Sequence, residues 1–423
     1  MENFWRKLKV VFTDPSLRKK ILFIFFALII FRIFAAIPIP GVDAARLSGF
    51  LADNQFLGIL NVFSGGGLSS LSIIMLGIGP FITASIVMQL LTIMVPKLKA
   101  LYQEEGEIGR KKFTQYSRLL TVPLALVQGF GLMTLLTRQG IISNLTSFEQ
   151  ITNLIVITAG SVLLMWIGEL ISEYGIGNGV SILIFAGIIA SLPAQINQLV
   201  FTFDTAQIPL YLTFLVAAIL IVLGIIVVTE AERPIPVTYA KQVRGAKMYG
   251  GVSTYIPLRL NQAGVMPIIF ALSLLLFPQM ISTVLLGINN VFLQKIGGFL
   301  EIFAQTAWLY ALAYFVLVFA FTYFYTAITF DPEALSKNLQ KSGAFIPGIR
   351  PGASTSEYIN KILTRITFVG AFFLGVVAVL PLIMQSITGI TALAIGGTGL
   401  LIVVSVVLDI VKKVEAQISM REY

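Results

Sequence analysis

The chain has 423 residues, 57% hydrophobic and only 12% charged, with a formal charge of +9. A soluble domain carries about 25% charged residues, so this composition describes a protein of the bilayer. Cys and His are both absent, which excludes disulfides, thiolate nucleophiles, zinc and iron–sulfur centres, His-dependent triads and imidazole pH switches.

The opening twenty residues, MENFWRKLKVVFTDPSLRKK, are basic. The apolar stretch behind them is too long for the core of a removable signal peptide, so 1–20 is expected to be a tail ahead of a first span. A helix needs about 20 apolar residues to cross the hydrocarbon. That length predicts ten spans, at 21–40, 71–95, 119–137, 151–168, 178–201, 208–229, 263–287, 302–329, 366–388 and 390–408. Of the 29 Lys and Arg, all but Arg32, Arg46, Arg138 and Lys295 fall in the N-terminal tail, the C-terminal tail, or in and beside the 2/3, 6/7 and 8/9 loops. The positive-inside rule places those loops and both termini in the cytoplasm. The +9 charge is thus read as topology, not nucleic-acid binding. An all-α polytopic protein follows, divided into a tail (1–20), a first half (21–203), a second half (204–411) and a C-terminal tail (412–423). Five spans per half would invert the second relative to the first, and inverted repeats place their working site at the interface near mid-membrane. No GxxxxGK[ST] loop occurs, so any energy comes from elsewhere.

In chain order, the first interruption is Arg32 in span 1. An intramembrane cation is functional by default, although a snorkelling or carbonyl-satisfied structural arginine explains it equally. Next, NVFSGGGLSS (61–70) admits two readings: a small mobile element dipping into the membrane from outside, or an ordinary external loop. Gly and Pro then mark spans 2 (GIGP, 77–80), 5 (GIGNG, 175–179), 7 (AGVMP, 263–267) and 10 (IGGTG, 395–399). They suit four helices converging on a constriction, or plain close packing. Glu169 and Glu173 close span 4, where an edge position would solvate them. The spans carry no Asp/Glu/His relay, which argues against a proton-coupled pump.

Two loops are too large for linkers. In 230–260, β-prone PVTY and STYIPL flank a basic, Gly-containing tip, the pattern of a hairpin. In 331–361, Pro and Gly cluster around Arg350. Either loop could anchor topology alone, but a structured projection exposing Lys241, Arg244, Lys247 and Arg350 favours docking of an acidic or RNA-bearing partner.

Eight strings, in this order, resemble the SecY family, the central subunits of the bacterial protein-conducting channel. They are FRIFAAIPIPG (31–41), NVFSGGGLS (61–69), LGIGPFITASIVMQLL (76–91), EGEIGRKKFTQY (105–116), MWIGELISEYGIGNGVSILIFAGI (165–188), NQAGVMPIIFA (261–271), NLQKSGAFIPGIRPG (338–352) and GGTGLLIVV (396–404). They span nearly the whole chain; the external loops 138–150 and 283–301 and the C-terminal tail match least. The resemblance implies a ten-helix clamshell of two inverted five-helix halves around an hourglass pore, opening sideways between spans 2/3 and 7/8. A member passes unfolded secretory polypeptides across the bacterial plasma membrane and releases apolar segments into the lipid bilayer. By the same resemblance, a pore ring falls on Ile78, Ile82, Val180, Ile184, Ile269 and Ile402. The plug is 61–69, a short helix, with Asn61, Val62, Phe63 and Ser64 in its body and Gly65, Gly66 and Gly67 as its hinge. Thr83, Gln128 and Asn261 form a polar cluster at the lateral gate. Lys241, Arg244, Lys247 and Arg350 meet the ribosome or the motor ATPase SecA, and the small membrane subunits SecE and SecG complete the assembly. No cofactor or catalytic residue is implied.

The chemistry of the ring agrees with that role. Ile78/Ile82 and Val180/Ile184 are i,i+4 pairs on single helix faces, and an uncharged branched collar can hinder ions by dewetting. The competing hypothesis is a secondary transporter for a small solute, which shares ten spans and broken helices but should show convergent polar groups at mid-membrane. A membrane enzyme has little support without His, Cys or clustered acids.

Overall fold

The computed structural model describes residues 13–40, 61, 64–138, 140–142, 146–201, 208–239, 242–244, 247–249, 253–287, 290–388 and 391–419. Each of the ten predicted spans overlaps a helix within them. Helix α1 (Pro15–Ala35) starts at Asp14, whose Oδ1 accepts the Ser16 amide at 2.9 Å, with Pro15 in the first turn. Ala27, Phe31 and Ala35 form its buried i,i+4 face, while Leu22, Phe25, Phe26 and Ile29 point outward. An exposed apolar stripe of this kind suits hydrocarbon rather than water.

Span 2 departs from the predicted boundary. Helix α2 (Gly79–Met94) starts eight residues after Leu71, because the chain first runs through turns that use the left-handed region at Leu71 (φ 42°) and Gly77 (φ 59°). Pro80 then fits the first helical turn, where no N–H is needed. Pro96 ends α2 and starts α3 (Pro96–Gln103) after a 116° bend. Helix α4 (Gly106–Arg138) is 33 residues long, roughly 50 Å at 1.5 Å per residue. It therefore continues well beyond a hydrocarbon layer of about 30 Å. Helix α5 (Ser147–Tyr174) opens with a capping box between Thr146 and Glu149. Helix α6 (Gly179–Phe201) follows a tight turn in which Asn178 Oδ1 accepts the Val180 amide at 3.0 Å. Its first residue can only be glycine: a Cβ on Gly179 would stand 1.9 Å from the Gly168 carbonyl oxygen.

The helices that overlap the second five predicted spans are α7 (Ile208–Glu230), α8 (Met266–Leu286), α10 (Ala307–Thr329), α12 (Ala353–Thr388) and α13 (Thr391–Ser419). Between α8 and α10 lies α9 (Val291–Gln305), in a stretch expected to be mostly external loop. Asn290 caps it, and Ser282 Oγ donates to the Gly297 carbonyl at 2.8 Å, fastening it to α8. Among the described residues, α4, α5, α10 and α12 are long and apolar enough to cross a membrane by themselves, and the bent α2/α3 pair adds a fifth.

The predicted hairpin forms from β1 (Glu232–Tyr239) and β4 (Ser253–Arg259), paired from Glu232↔Arg259 to Thr238↔Ser253. A smaller ladder, β2 (Gln242–Arg244) with β3 (Lys247–Tyr249), extends towards the tip. The second loop contributes α11 (Pro332–Lys341) and β5 (Ala344–Phe345), and β5 pairs with β1 at Thr238 and Tyr239. The two loops therefore form one unit, with its own core of Ile235, Val237, Leu258, Ala344, Ile359 and Ile362. The same end of the bundle gathers the start of α1, the α5/α6 turn and the end of α13, through Leu17, Ile176 and Ile418.

Candidate functional site

Four helices supply the aliphatic side chains singled out in the sequence. Ile78 is the N-cap of α2 and Ile82 lies one turn inside it; α6 carries Val180 and Ile184, α8 carries Ile269 and α13 carries Ile402. All but Val180 are at most 2% exposed and belong to one apolar cluster, against which the partly buried Val180 packs. The first and last five spans both contribute. Residues distant in sequence thus share one large apolar core that also draws on α1, α5, α10 and α12, with no charged group in it.

The interrupting glycines have local explanations. Gly77, Gly177 and Gly264 take left-handed backbone at turns leading into α2, α6 and α8. Gly399 in α13 faces α6, where an added Cβ would sit 3.0 Å from Ile188 Cγ2. Close packing and tight entry turns account for these four; each also positions a helix that bears a cluster residue.

Helix α8 packs against α2 and α4. Thr83 of α2, Gln128 of α4 and Asn261 in the turn ahead of α8 are all buried. Gln128 Nε2 donates to Thr83 Oγ1 across a long 3.4 Å, and Thr83 Oγ1 donates to its own helix at Gly79 O, 3.0 Å away. Asn261 Nδ2 donates to the Gly264 carbonyl at 3.1 Å, fixing the turn into α8, while its Oδ1 is buried with no hydrogen-bond partner. Of the predicted trio, Thr83 and Gln128 are brought together, while Asn261 bonds within its own turn.

Of the glycine-rich stretch, Asn61 and Ser64 to Ser70 are described, whereas Val62 and Phe63 lie outside the described residues. Asn61 organises the turns: its carbonyl accepts the Gly66 amide (2.8 Å) and the Ser64 hydroxyl (3.0 Å), and its Oδ1 accepts the Ser69 amide (2.8 Å). The following residues join the end of span 1 through Ile39 N to Leu71 O (2.8 Å) and Ile73 N to Ile37 O (3.0 Å). Arg32 lies in the last turn of α1 rather than mid-span. A helix C-terminus favours a cation there, and Nη1 donates to the Gly65 carbonyl at 2.8 Å. This partner is a backbone carbonyl, as the structural reading of Arg32 anticipated.

At the sheet end, Arg350 is exposed on the turn between β5 and α12, and its carbonyl accepts Thr355 Oγ1 at 2.9 Å. Arg244 and Lys247 are paired register positions of β2 and β3, flanking the tip. Lys241 lies outside the described residues. A cleft of ≈ 970 Å³ opens nearby, lined by Thr92 and Lys99 from the first five spans and their connections, and by Asp331, Lys337, Glu357 and Asn360 from the second. Sequence reasoning missed the tie between the two loops. It also missed the 2.6 Å ion pair of Arg118 with Glu169, which joins α4 to α5 where a merely solvated carboxylate was expected. At the opposite end, the Thr146 backbone and hydroxyl hold the exposed Glu149 carboxyl below its ordinary value.

The SecY family model matches residues 72–411. The protein translocase subunit SecY of Thermotoga maritima is 41% identical over 99% of this chain and 97% of its own. That of Halalkalibacterium halodurans is 43% identical over 99% of both, and that of Corynebacterium glutamicum 41% over 97% of both. Among solved structures, a protein-conducting channel superposes with a TM-score of 0.66 at 20% identity, covering 95% of this chain and 93% of its own. A SecY protein whose plug domain is described as stabilising the closed channel gives 0.67, and Sec61 from a canine ribosome–channel complex gives 0.63, with the same identity and coverage.

Proposed function

The chain belongs to the SecY family, and from that premise we propose that it is the channel-forming subunit of a protein translocase. It passes unfolded secretory polypeptides across the bacterial plasma membrane and releases apolar segments sideways into lipid. One observation supports this reading: six uncharged aliphatic side chains from four helices, drawn from both sets of five spans, lie in or against the same large apolar core. Such a collar closes to water at rest, parts around many kinds of side chain, and holds none of them tightly. A small-solute transporter would instead need fixed polar ligands at that depth.

Around the collar, the halves 21–203 and 204–411 separate at the α8 seam, which serves as the lateral gate. Residues 61–69 form the plug. The sheet end faces the cytoplasm with both termini, as its basic loops suggest. There Arg350 and the hairpin, with Lys241, Arg244 and Lys247, receive SecA or the ribosome. SecE and SecG complete the complex. The partners or the proton-motive force supply the energy, since the chain has no P-loop.

The chain has no cysteine, so Ile82→Cys creates a unique thiol. The channel is reconstituted with its partners in vesicles, and a secretory polypeptide carrying one Cys is stalled in transit. The expected result is a disulfide that depends on substrate length, together with a thiol shielded from reagents at rest, because Ile82 is 2% exposed. Crosslinking at an outward control such as Phe25 but not at position 82 would reject the collar.

A further inference from the structure

Arg32 and Phe31 grip the glycine turn as a pair, and neither residue has a role in the function proposed above. Arg32 Nη1 holds the Gly65 carbonyl at 2.8 Å. The ring of Phe31 closes over the same residue: a Cβ on Gly65 would come within 2.1 Å of Phe31 Cζ. Gly65 also has φ of +68°, a conformation that glycine adopts freely. One turn further along α1, the Ala35 carbonyl accepts the Ser70 hydroxyl at 2.7 Å. The last turn of span 1 thus holds residues 65–70 by a cation, a ring and a carbonyl. Asn61 and Ser64 are fastened to that turn in their own right, through Gly66, Ser69 and Leu68.

We propose that Arg32 is a positioning residue of the translocation channel: it latches the Gly65–Gly67 turn to span 1 and so biases the channel towards its closed state. The proposal rests on the translocase reading. A guanidinium suits a latch that must release. Its bond to a carbonyl is charge-assisted, stronger than a neutral one, yet Arg32 is exposed rather than enclosed by protein, so at the helix end its long side chain can reach a polar group at the interface once the turn leaves. The helix C-terminus keeps the cation favourable in both states. A neutral side chain would lose the bond, whereas a buried cation without solvent access would make opening prohibitive. Glycine at 65 is the complementary half, since any side chain there meets the Phe31 ring.

The test compares Arg32→Ala, Arg32→Gln and Arg32→Lys in the reconstituted complex by two independent measurements. Hydrogen exchange at the amides of Gly66, Leu68, Ser69 and Ser72 reads the turn itself, whatever the protein transports. Leak of a small anion from vesicles without substrate reads closure. For Arg32→Ala we expect exchange at those amides and resting leak each to rise on the order of tenfold, the shift a charge-assisted bond provides when it favours one of two states. Arg32→Gln should follow Arg32→Ala, and Arg32→Lys should recover part of both. Unchanged exchange in Arg32→Ala would overturn the latch. Faster exchange without leak would overturn its role in closure, leaving Arg32 as a local staple. Should Arg32→Ala fail to accumulate in membranes, Arg32→Gln decides by the same criteria. If the wild-type complex moves no polypeptide, the translocase reading fails, while the exchange measurement still judges the contact.

Discussion

Beside α8, Thr83 of α2 and Gln128 of α4 share one long hydrogen bond, and the buried Asn261 in the turn into α8 leaves one acceptor unpaired. Where α6 meets α13, Gly399 lets Ile188 approach to near contact. Nearby, the connecting residue Ile176 packs with Leu17 and Ile418 at the bundle's end. Both lines join the first five spans to the last five. The α6/α13 seam gains dispersion from close fit and loses it with any added volume. The α8 seam hides polar groups imperfectly, so opening it onto an aqueous pore returns them to water. A clamshell needs this asymmetry: one side that holds and one that yields. The two seams should therefore respond in opposite ways to the same kind of substitution, from polar or small to larger and apolar.

The largest effect belongs to the tight seam. Gly399→Val places two methyl groups beyond a Cβ that already stands 3.0 Å from Ile188 Cγ2. Overpacking of a well-packed site costs about 1–3 kcal/mol, so thermal unfolding of the purified protein should shift down clearly. Full stability in Gly399→Val would mean that the α6/α13 line is loose and the contrast false. At the yielding seam, Gln128→Leu should act the other way. Thr83 keeps its bond to Gly79 O, so no hydroxyl donor is orphaned, and the closed seam gains an apolar contact. Interhelical hydrogen bonds and their replacements are worth about 0.6–2 kcal/mol. Export of a substrate with a weakly apolar signal should fall about fivefold relative to one with a strongly apolar signal. Equal losses for both would place Gln128 outside the gate.

The seams also differ in how far the sequence reveals them. Apolar length alone located a helix at each predicted span, though among the described residues only α4, α5, α10, α12 and the bent α2/α3 pair are long and apolar enough to cross a membrane. The helix ends were not legible. Helices α4 and α12 run on through charged residues where an apolar scan stops, and α9 is amphipathic, so it read as loop. The late start of α2 depends on Leu71 at φ 42°, a conformation that leucine does not advertise. The docking loops were recognisable by turn and strand chemistry, but β5 is two residues long, too short to signal its pairing with β1. The ring residues are branched aliphatics among many such residues, and chemistry alone does not choose them; the family resemblance did. Arg32 stood out as a cation in an apolar span. Its partner did not, since the Gly65 carbonyl is 33 positions away and every residue has a carbonyl.

Acid gives the smallest effect and the sharpest control. Thr83, Gln128 and Asn261 contain no titratable group, so the α8 seam should keep its signal discrimination between pH 7 and pH 5. Glu149 lies away from this seam, at the start of α5, with its carboxyl held below the ordinary value by Thr146. The sign follows from that depression. The capping contribution is complete above the unfolded carboxylate value, about 4.3, and is lost as pH falls through the lower folded value. Hydrogen exchange at the Glu149 amide, which donates to Thr146 Oγ1 at 3.4 Å, should therefore accelerate beyond its intrinsic pH dependence only below about pH 4. Thr146→Ala should abolish that acid step. A change in signal discrimination at pH 5 to 7 would show that a titrating group governs the gate, and the division between a polar, uncharged seam and a close-packed one would then fail on its yielding side.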